Sequence, residues 1–360
     1  MNQDEFRKLI SGQKTGAAAA IARALLSLAA VFYGLAVRMR NFLYSRGLVK
    51  AHRAKSAVIS VGNITAGGTG KTPLVVWLCR LMEQKNISCA ILTRGYKSNQ
   101  GERGYADEPA IFIKDCPKAQ LIVNPDRTAG ASEALERFGV KVLVMDDGFQ
   151  HRRLARDIDI VTIDATEPFG YGRMLPAGLL REPVCSLSRA DAVVMTRCDQ
   201  VDETRLAEIE KEVRQANAMI VIARSAHCAS DVRGLQERQI GLEEIRDKNA
   251  FAFCGIGNPA AFLNTLRSAG SKIAGAKIYD DHHQYSDEDI AEIYEEARAA
   301  GAEMILTTEK DWTKAEILIA GAEEAVFAYV AVELKFVSGE EKIRELIEGV
   351  LGGKIDENAL

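Results

Sequence analysis

Val58 to Pro73 reads VISVGNITAGGTGKTP, an apolar run, then glycines, then Gly-Lys-Thr-Pro. That order spells strand, tight loop, helix start. In a loop of this kind successive backbone N–H groups turn inward and hold phosphate oxygens, and the helix N-terminus adds partial positive charge. Lys71 is placed to reach the β- and γ-phosphates of a nucleotide, and the Thr72 hydroxyl to bind Mg²⁺. Thr65, Ala66, Gly67, Gly68, Thr69 and Gly70 form the rest of the expected nucleotide-binding loop. Position 65 departs from the strict G-x-x-x-x-G-K-[ST] pattern by carrying Thr. A glycine-rich turn with no ligand would not call for a strand before it and Lys-Thr-Pro after it.

The chain has 360 residues, enough for two domains with cores of their own. Its formal net charge of -4 argues against broad nucleic-acid binding, which needs a basic surface. Seven cysteines, with no C-x-x-C pair, read as reduced thiols in a cytoplasmic setting. The organisation expected is a segment 1–55 holding an amphipathic helix and a basic flank, a P-loop nucleotide-binding domain over 56–218, a linker over 219–248, and a smaller α/β domain over 249–360. The fold class is α/β, with two domains built on mostly parallel sheets.

Ala17 to Val37 is apolar except for Arg23 and Ser27. As a helix it would be about 32 Å long, just enough to span a bilayer. Ile21, Leu25, Leu28, Phe32 and Leu35 recur at steps of four and three, so they share one stripe. Arg38, Arg40, Arg46, Lys50, Arg53 and Lys55 follow, a flank suited to anionic headgroups. The pattern favours a helix lying on or dipping into a membrane leaflet over a true span. The competing reading is a helix packed on the protein's own core.

Lys141 to Met145 is a buried-type strand that runs into Asp146-Asp147-Gly148. An Asp just past such a strand is where P-loop enzymes keep the carboxylate on the metal side, so Asp146 and Asp147 are metal candidates and the pair is left unresolved. Asp107 and Glu108 precede a Pro where a loop is expected, and Glu108 is a further metal candidate. Phe169 to Pro183 is long, glycine-rich and basic, the profile of a substrate loop. Asp191 to Thr196 is another strand; its end has a slight likeness to the guanine-reading edge of GTPase sheets, from which Arg197-Cys198 departs. In the second α/β unit two strands end in polar clusters, Asp281-His282-His283 and Thr308-Glu309-Lys310-Asp311, on the edge where open α/β sheets bind ligands.

Taken together, VGNITAGGTGKTP, TRGY ending at Tyr96, Asp107-Glu108-Pro109, DDGFQHRRLARD from Asp146, LPAG and LREP within 175–183, GIGNP at 255–259, DHH at 281–283 and TEKD at 308–311 resemble the tetraacyldisaccharide 4'-kinases, the lipid A 4'-kinases, along nearly the whole chain. The resemblance includes Thr at position 65. It implies transfer of the ATP γ-phosphate to the 4'-hydroxyl of a tetraacylated glucosamine disaccharide 1-phosphate, with Mg²⁺, at the cytoplasmic face of the inner membrane. It implies two α/β/α domains joined by a short two-stranded linker. By motif it places an acceptor-side pair on Asp107 and His282, His282 being the first of two adjacent histidines. The partners expected are the lipid A disaccharide precursor and the inner-membrane surface, with no nucleic acid and no obligate protein partner evident.

The residues support that chemistry independently. A sugar hydroxyl is a weak nucleophile, so a carboxylate has to take its proton as it attacks. Two other readings fit less well. A partitioning-type ATPase places a second Lys where this chain has Ala66, and a metal-insertion chaperone needs Cys/His clusters that the pair His282-His283 does not supply.

Overall fold

Strands that are buried on both faces read as near-continuous apolar runs, and several stretches here come close to that. Ala57–Gly62, Val142–Asp146, Ile158–Asp164 and Ala192–Thr196 are buried at every position. In the computed structural model, which describes residues 3–95, 107–319 and 327–357, they form the middle of a parallel sheet.

The elements of the first unit, in chain order, begin with helices α1 (Gln3–Ile10) and α2 (Ala17–Ser45). Strand β1 (Ala57–Gly62), α3 (Lys71–Gln84), β2 (Cys89–Thr93), α4 (Asp107–Asp115), β3 (Gln120–Val123), α5 (Arg127–Phe138) and β4 (Val142–Asp146) follow. Then come β5 (Ile158–Asp164), β6 (Ala192–Thr196), α6 (Glu203–Ala216) and β7 (Val221–Arg233). The strand order is β3-β2-β4-β1-β5-β6-β7, with every neighbouring pair parallel. The order reverses at β1, so the crevice past its carboxyl end is the natural ligand position. Asp126 caps α5 by accepting from Thr128 N and Ala129 N at 2.9 and 3.3 Å.

The second unit comprises β8 (Asn249–Cys254), α7 (Pro259–Ser268), β9 (Lys272–Ile278), α8 (Asp287–Ala299), β10 (Met304–Thr308), α9 (Glu309–Ile319) and β11 (Phe327–Ser338). Its strands β11-β10-β8-β9 are again all parallel. Ser286 and Asp289 form the capping box that their spacing foretells for α8. The chain then enters α10 (Glu340–Glu357), whose Ile343 and Ile347 are fully buried.

The division differs from the expected one at two places. The units are Gln3–Ala226 with Phe336–Leu360, and His227–Lys335. The last helix therefore belongs to the first unit. Phe336 meets Trp77 edge-on at 4.9 Å, and the Arg344 guanidinium lies over the Trp77 ring at 5.2 Å. The region expected as a linker over 219–248 contains the 13-residue strand β7, along which the chain passes from one unit to the next. Residues 1–16, which look uninformative in sequence, include α1, with Leu9 and Ile10 6% and 3% exposed.

Helix α2 has an inverted face pattern. Its small residues Ala19, Ala30, Gly34 and Val37 are buried, while Ile21, Leu25, Leu28, Phe32, Leu35 and Met39 are 55–65% exposed. The stripe read from the sequence is thus turned outward, and the reading of a helix packed on its own core through that stripe is set aside. What holds α2 is polar. Glu182 is fully buried and accepts from Arg40 Nη2 (2.9 Å), Asn41 Nδ2 (2.7 Å) and Arg189 Nη2 (2.9 Å), while Tyr33 Oη donates to the Arg181 carbonyl at 3.1 Å. Arg40, expected in the lipid-facing flank, is thereby committed inward, and Arg53 pairs with Asp157 at 3.5 Å.

Removing the Glu182 carboxylate leaves Arg189 and Arg40 without their shared partner. Glu182→Ala is expected to cost roughly 3 kcal/mol, the low end for breaking a buried ion pair because Arg40 stays 38% exposed. Urea unfolding at neutral pH measures it. A cost under about 0.5 kcal/mol would mean that the arginines find other partners.

Candidate active site

The loop between β1 and α3 lies where the strand order reverses, and its shape follows from where its carbonyls go. Arg197 Nη1 donates to Gly68 O at 2.9 Å and Thr196 Oγ1 to Thr69 O at 3.0 Å. Asn63 Nδ2 donates to Thr69 Oγ1 at 3.0 Å and sits 3.5 Å from Gly67 O, and the Thr69 and Thr162 hydroxyls are 2.7 Å apart. With its carbonyls held from the protein side, the loop is left to offer N–H groups to an anion. Gly67 has φ +123° and Gly70 φ +82°, positive values that glycine adopts at no steric cost. Gly70 is the N-cap of α3 and Lys71 its first residue, so the ammonium and the helix N-terminus face the same place.

The start of the loop behaves differently. Thr65 is bridged antiparallel to Leu180, Ala66 N donates to Leu179 O at 2.7 Å, and Arg181 N donates to Ile64 O at 2.8 Å. The Ala66 amide is therefore committed to the Phe169–Pro183 loop, and the amides left to offer an anion are those after it. This pairing also gives Thr65 its place: a buried side chain, 4% exposed, where the strict pattern has Gly.

Beside the loop, Asp146 ends β4 opposite Val61 of β1 and is 2% exposed. Its carboxylate accepts from Thr93 Oγ1 at 3.3 Å. Asp147 follows in a left-handed conformation, φ +51°, which turns its carboxylate to Lys71 Nζ (3.4 Å) and Arg181 Nη1 (2.9 Å). The turn fits tightly, since a Cβ on Gly62 would lie 2.5 Å from Phe149 Cβ. Burial raises the Asp147 pKa, but the charges of Lys71 and Arg181 outweigh it and hold the carboxyl well below its ordinary range. Thr72 is the second residue of α3 and half-buried. Asp107 and Glu108 open α4 and do not sit in a loop; their side chains lie outside the described residues.

Three participants escaped the motif reading. Arg197 looked like a failed base-reading residue, yet it braces Gly68 and pairs with Asp164. Arg181 was one basic residue in a glycine-rich loop, yet it shares Asp147 with Lys71. Arg127, 4% exposed at the head of α5, donates to Asp146 O at 3.3 Å. An Arg just past a strand's carboxyl end was the available signal for both Arg197 and Arg127.

In the second unit His282 and His283 separate by role. His283 Nε2 lies 3.0 Å from Asp289, which completes the capping box of α8 with Ser286, and its ring stacks on Tyr279 at 4.3 Å. His282, at φ +64° and 40% exposed in its side chain, has Nε2 3.4 Å from Lys310 Nζ. Its N–H donates to Gly255 O at 3.0 Å, while Gly255 N donates to the fully buried Asp311 at 3.0 Å. The GIGNP, DHH and TEKD motifs thus meet at one strand edge of this unit.

A sequence model of the family LpxK, tetraacyldisaccharide-1-P 4'-kinase, matches residues 22–352. Among curated relatives, the tetraacyldisaccharide 4'-kinase of Anaeromyxobacter sp. (strain K) is 33% identical over 94% of this chain and 93% of its own length. That of Syntrophus aciditrophicus is 37% identical over 86% of this chain and 88% of its own. The crystal structure of the "apo" form of LpxK from Aquifex aeolicus in complex with ATP is similar at 29% identity and a TM-score of 0.68, covering 92% of this chain and 99% of that one.

The ion pairs at Asp147 carry a pH signature. Asn also tolerates a left-handed backbone, so Asp147→Asn removes mainly the charge. A depressed carboxyl pKa stabilises the fold above the unfolded value of about 4, and that contribution is lost as pH falls toward the folded-state pKa. Wild type should therefore exceed Asp147→Asn in stability at neutral pH, with the gap narrowing below about pH 4. Urea unfolding of both proteins across that range checks it, and a gap independent of pH would remove the ion pairs as its cause.

Proposed function

The chain belongs to the tetraacyldisaccharide-1-P 4'-kinase family, and from that premise we infer that it transfers the γ-phosphate of ATP to the 4'-hydroxyl of a tetraacylated glucosamine disaccharide 1-phosphate in lipid A biosynthesis. The observation that carries the chemistry is Lys71 at the first residue of α3, beside a braced loop and the Asp146-Asp147 strand end. ATP is the nucleotide held by the Aquifex aeolicus protein, and the cradle here suits it: Gly67 and Gly70 keep room for phosphate where a Cβ would force strain.

Mg²⁺ suits the same donors. It keeps several waters and takes one or two carboxylates with phosphate oxygens, so it needs no dedicated cage. Among the described residues no group of three or more His, Cys, Asp or Glu side chains is found that could hold a metal by itself, so the set read here is Thr72, Asp146 and Asp147, with Glu108 outside the described side chains. When bound, the metal would neutralise charge on the β- and γ-phosphates. Phosphate oxygens would compete with Asp147 for the Lys71 ammonium, while Arg181 keeps Asp147 neutralised.

On the acceptor side, Asp107 takes the proton of the sugar hydroxyl and His282 assists. The commitment of His283 to Asp289 supports His282 for this role. The exposed stripe of α2 is read as the lipid contact at the cytoplasmic face of the inner membrane, since so long an apolar surface on a soluble body is otherwise costly. The two readings join through Glu182, which ties α2 to the glycine-rich loop expected to meet the acylated sugar.

Phosphate transfer to the acylated disaccharide tests the whole reading, and a protein whose ATP turnover ignores that acceptor would sink it. Lys71→Ala should reduce turnover by far more than tenfold, a loss beyond about 1.4 kcal/mol in the barrier. Asp107→Ala should cut kcat by about 10²–10⁴ with ATP affinity nearly intact. His282→Ala should lose less, and the double mutant should fall well short of the product of the two if they act as one unit.

Leu25→Glu with Phe32→Glu alters two outward positions and should leave the fold intact. It should weaken sedimentation with anionic vesicles and raise KM for lipid substrate presented in them. Vesicle binding equal to wild type would show that α2 is not the anchor.

A further inference from the structure

We propose that Arg7 is a catalytic residue of the phosphoryl transfer, an arginine finger supplied by the chain's own first helix. The proposal rests on the kinase reading above and adds a residue that lies before the stretch matched by the family, residues 22–352.

Three observations carry it. First, α1 is docked. Leu9 and Ile10 are buried, Lys14 N donates to Lys8 O at 2.9 Å, and Arg23 of α2 donates to Lys14 O at 2.6 Å. Second, the docking delivers a guanidinium to the phosphate loop. A Cβ built on Gly67 has Arg7 Nη2 as its nearest neighbour, at 3.8 Å. Gly67 lies four residues before Lys71, in the part of the loop whose carbonyls are held by Asn63, Arg197 and Thr196 from the protein side. Third, one of the groups that Arg7 meets, the Glu167 carboxylate, is 3.8 Å away, with side-chain exposures of 29% and 28%. A long, partly solvated ion pair is a weak competitor for a phosphate oxygen.

The chemistry follows from the transition state. In phosphoryl transfer the charge spreads over the equatorial oxygens of the moving group, and catalysis is positioning plus electrostatic stabilisation. Lys71 serves as a point charge at the helix start. Arg7 adds a planar fork able to give two N–H bonds to one phosphoryl group, which a lysine does not reproduce. Gly67 puts no side chain beside the fork: a Cβ there would touch Arg7 Nη2 at 3.8 Å and would be strained at its φ of +123°. The guanidinium stays protonated throughout and exchanges Glu167 for the phosphoryl oxygens; no bond is made or broken on it.

The test uses the full chain in detergent micelles. Arg7→Ala and Arg7→Lys are compared with wild type for kcat, and for binding of Mg-ATP and of Mg-ADP with aluminium fluoride, a mimic of the planar phosphoryl group. Arg7→Ala is expected to lose kcat by at least about tenfold, toward the roughly 10³–10⁵-fold that arginine fingers supply, and Arg7→Lys to recover little of it. Affinity for the fluoroaluminate complex should fall by at least about tenfold more than affinity for ATP. A smaller kcat loss, or equal losses for both complexes, would overturn the proposal by showing that Arg7 merely binds nucleotide or holds α1. Glu167→Gln breaks the same ion pair but keeps the guanidinium, and should retain kcat within about threefold; a loss matching Arg7→Ala would likewise assign Arg7 a structural part. The fluoroaluminate arm needs nucleotide alone and judges Arg7 on its own. A wild-type protein inert on the acylated disaccharide would overturn the acceptor reading and leave that arm standing.

Discussion

A loop that offers its N–H groups to an anion has to send its carbonyls elsewhere, and the nucleotide end of this protein is built around that requirement. Thr196 and Arg197, past the end of β6, take the carbonyls of Thr69 and Gly68. Thr162, in β5, holds the Thr69 hydroxyl and donates to Gly62 O at 3.2 Å. These residues reach the loop because β1, β5 and β6 are parallel neighbours whose carboxyl ends lie on one edge. The sheet order thus sets both the crevice and the braces behind it. Arg197 in turn is kept in place by Asp164, whose other oxygen holds Thr166, so the support continues a layer beyond the loop.

The second anchor is Glu182. Few carboxylates are wholly buried, and those that are need matched partners. Here the partners come from α2 and from Arg189, whose guanidinium also stacks over the Phe149 ring at 3.6 Å. Because Arg181 and Glu182 are adjacent, one short segment touches Asp147 with one side chain and α2 with the next. The nucleotide site and the apolar helix are joined by two consecutive residues.

The sequence made the backbone of this arrangement legible where local patterns decide the outcome. The phosphate loop, the Asp pair past β4 and the Ser286–Asp289 cap each depend on residues close in the chain. Partners distant in sequence were not legible. Arg197 meets Gly68 across 129 positions, and Asn41 meets Glu182 across 141; no periodicity encodes such meetings. The membership of α10 in the first unit was lost for the same reason, because its contacts with Trp77 reach back to α3. The basic flank after α2 illustrates a different limit. Charge spacing showed that Arg40 was cationic but not that a buried carboxylate would claim it. For Arg7, in a polar stretch with no motif, nothing in the sequence singled it out; only the docking of Leu9 and Ile10 puts it beside Gly67.

The inverted faces of α2 bear on which substitutions this helix tolerates. On an ordinary surface helix the inward positions demand bulk and the outward ones accept almost any polar residue. Here the inward demand is for smallness, since a Cβ at Gly34 would already stand 3.8 Å from Met174 and the next methyl group would press on it. The outward positions set only a chemical class: Leu, Ile, Phe and Met are interchangeable where nothing is packed against them. Lineages of this chain should therefore drift freely in shape along the Ile21–Met39 stripe while keeping small residues at Gly34 and Ala30, the reverse of the variability that a helix on a water-facing surface shows.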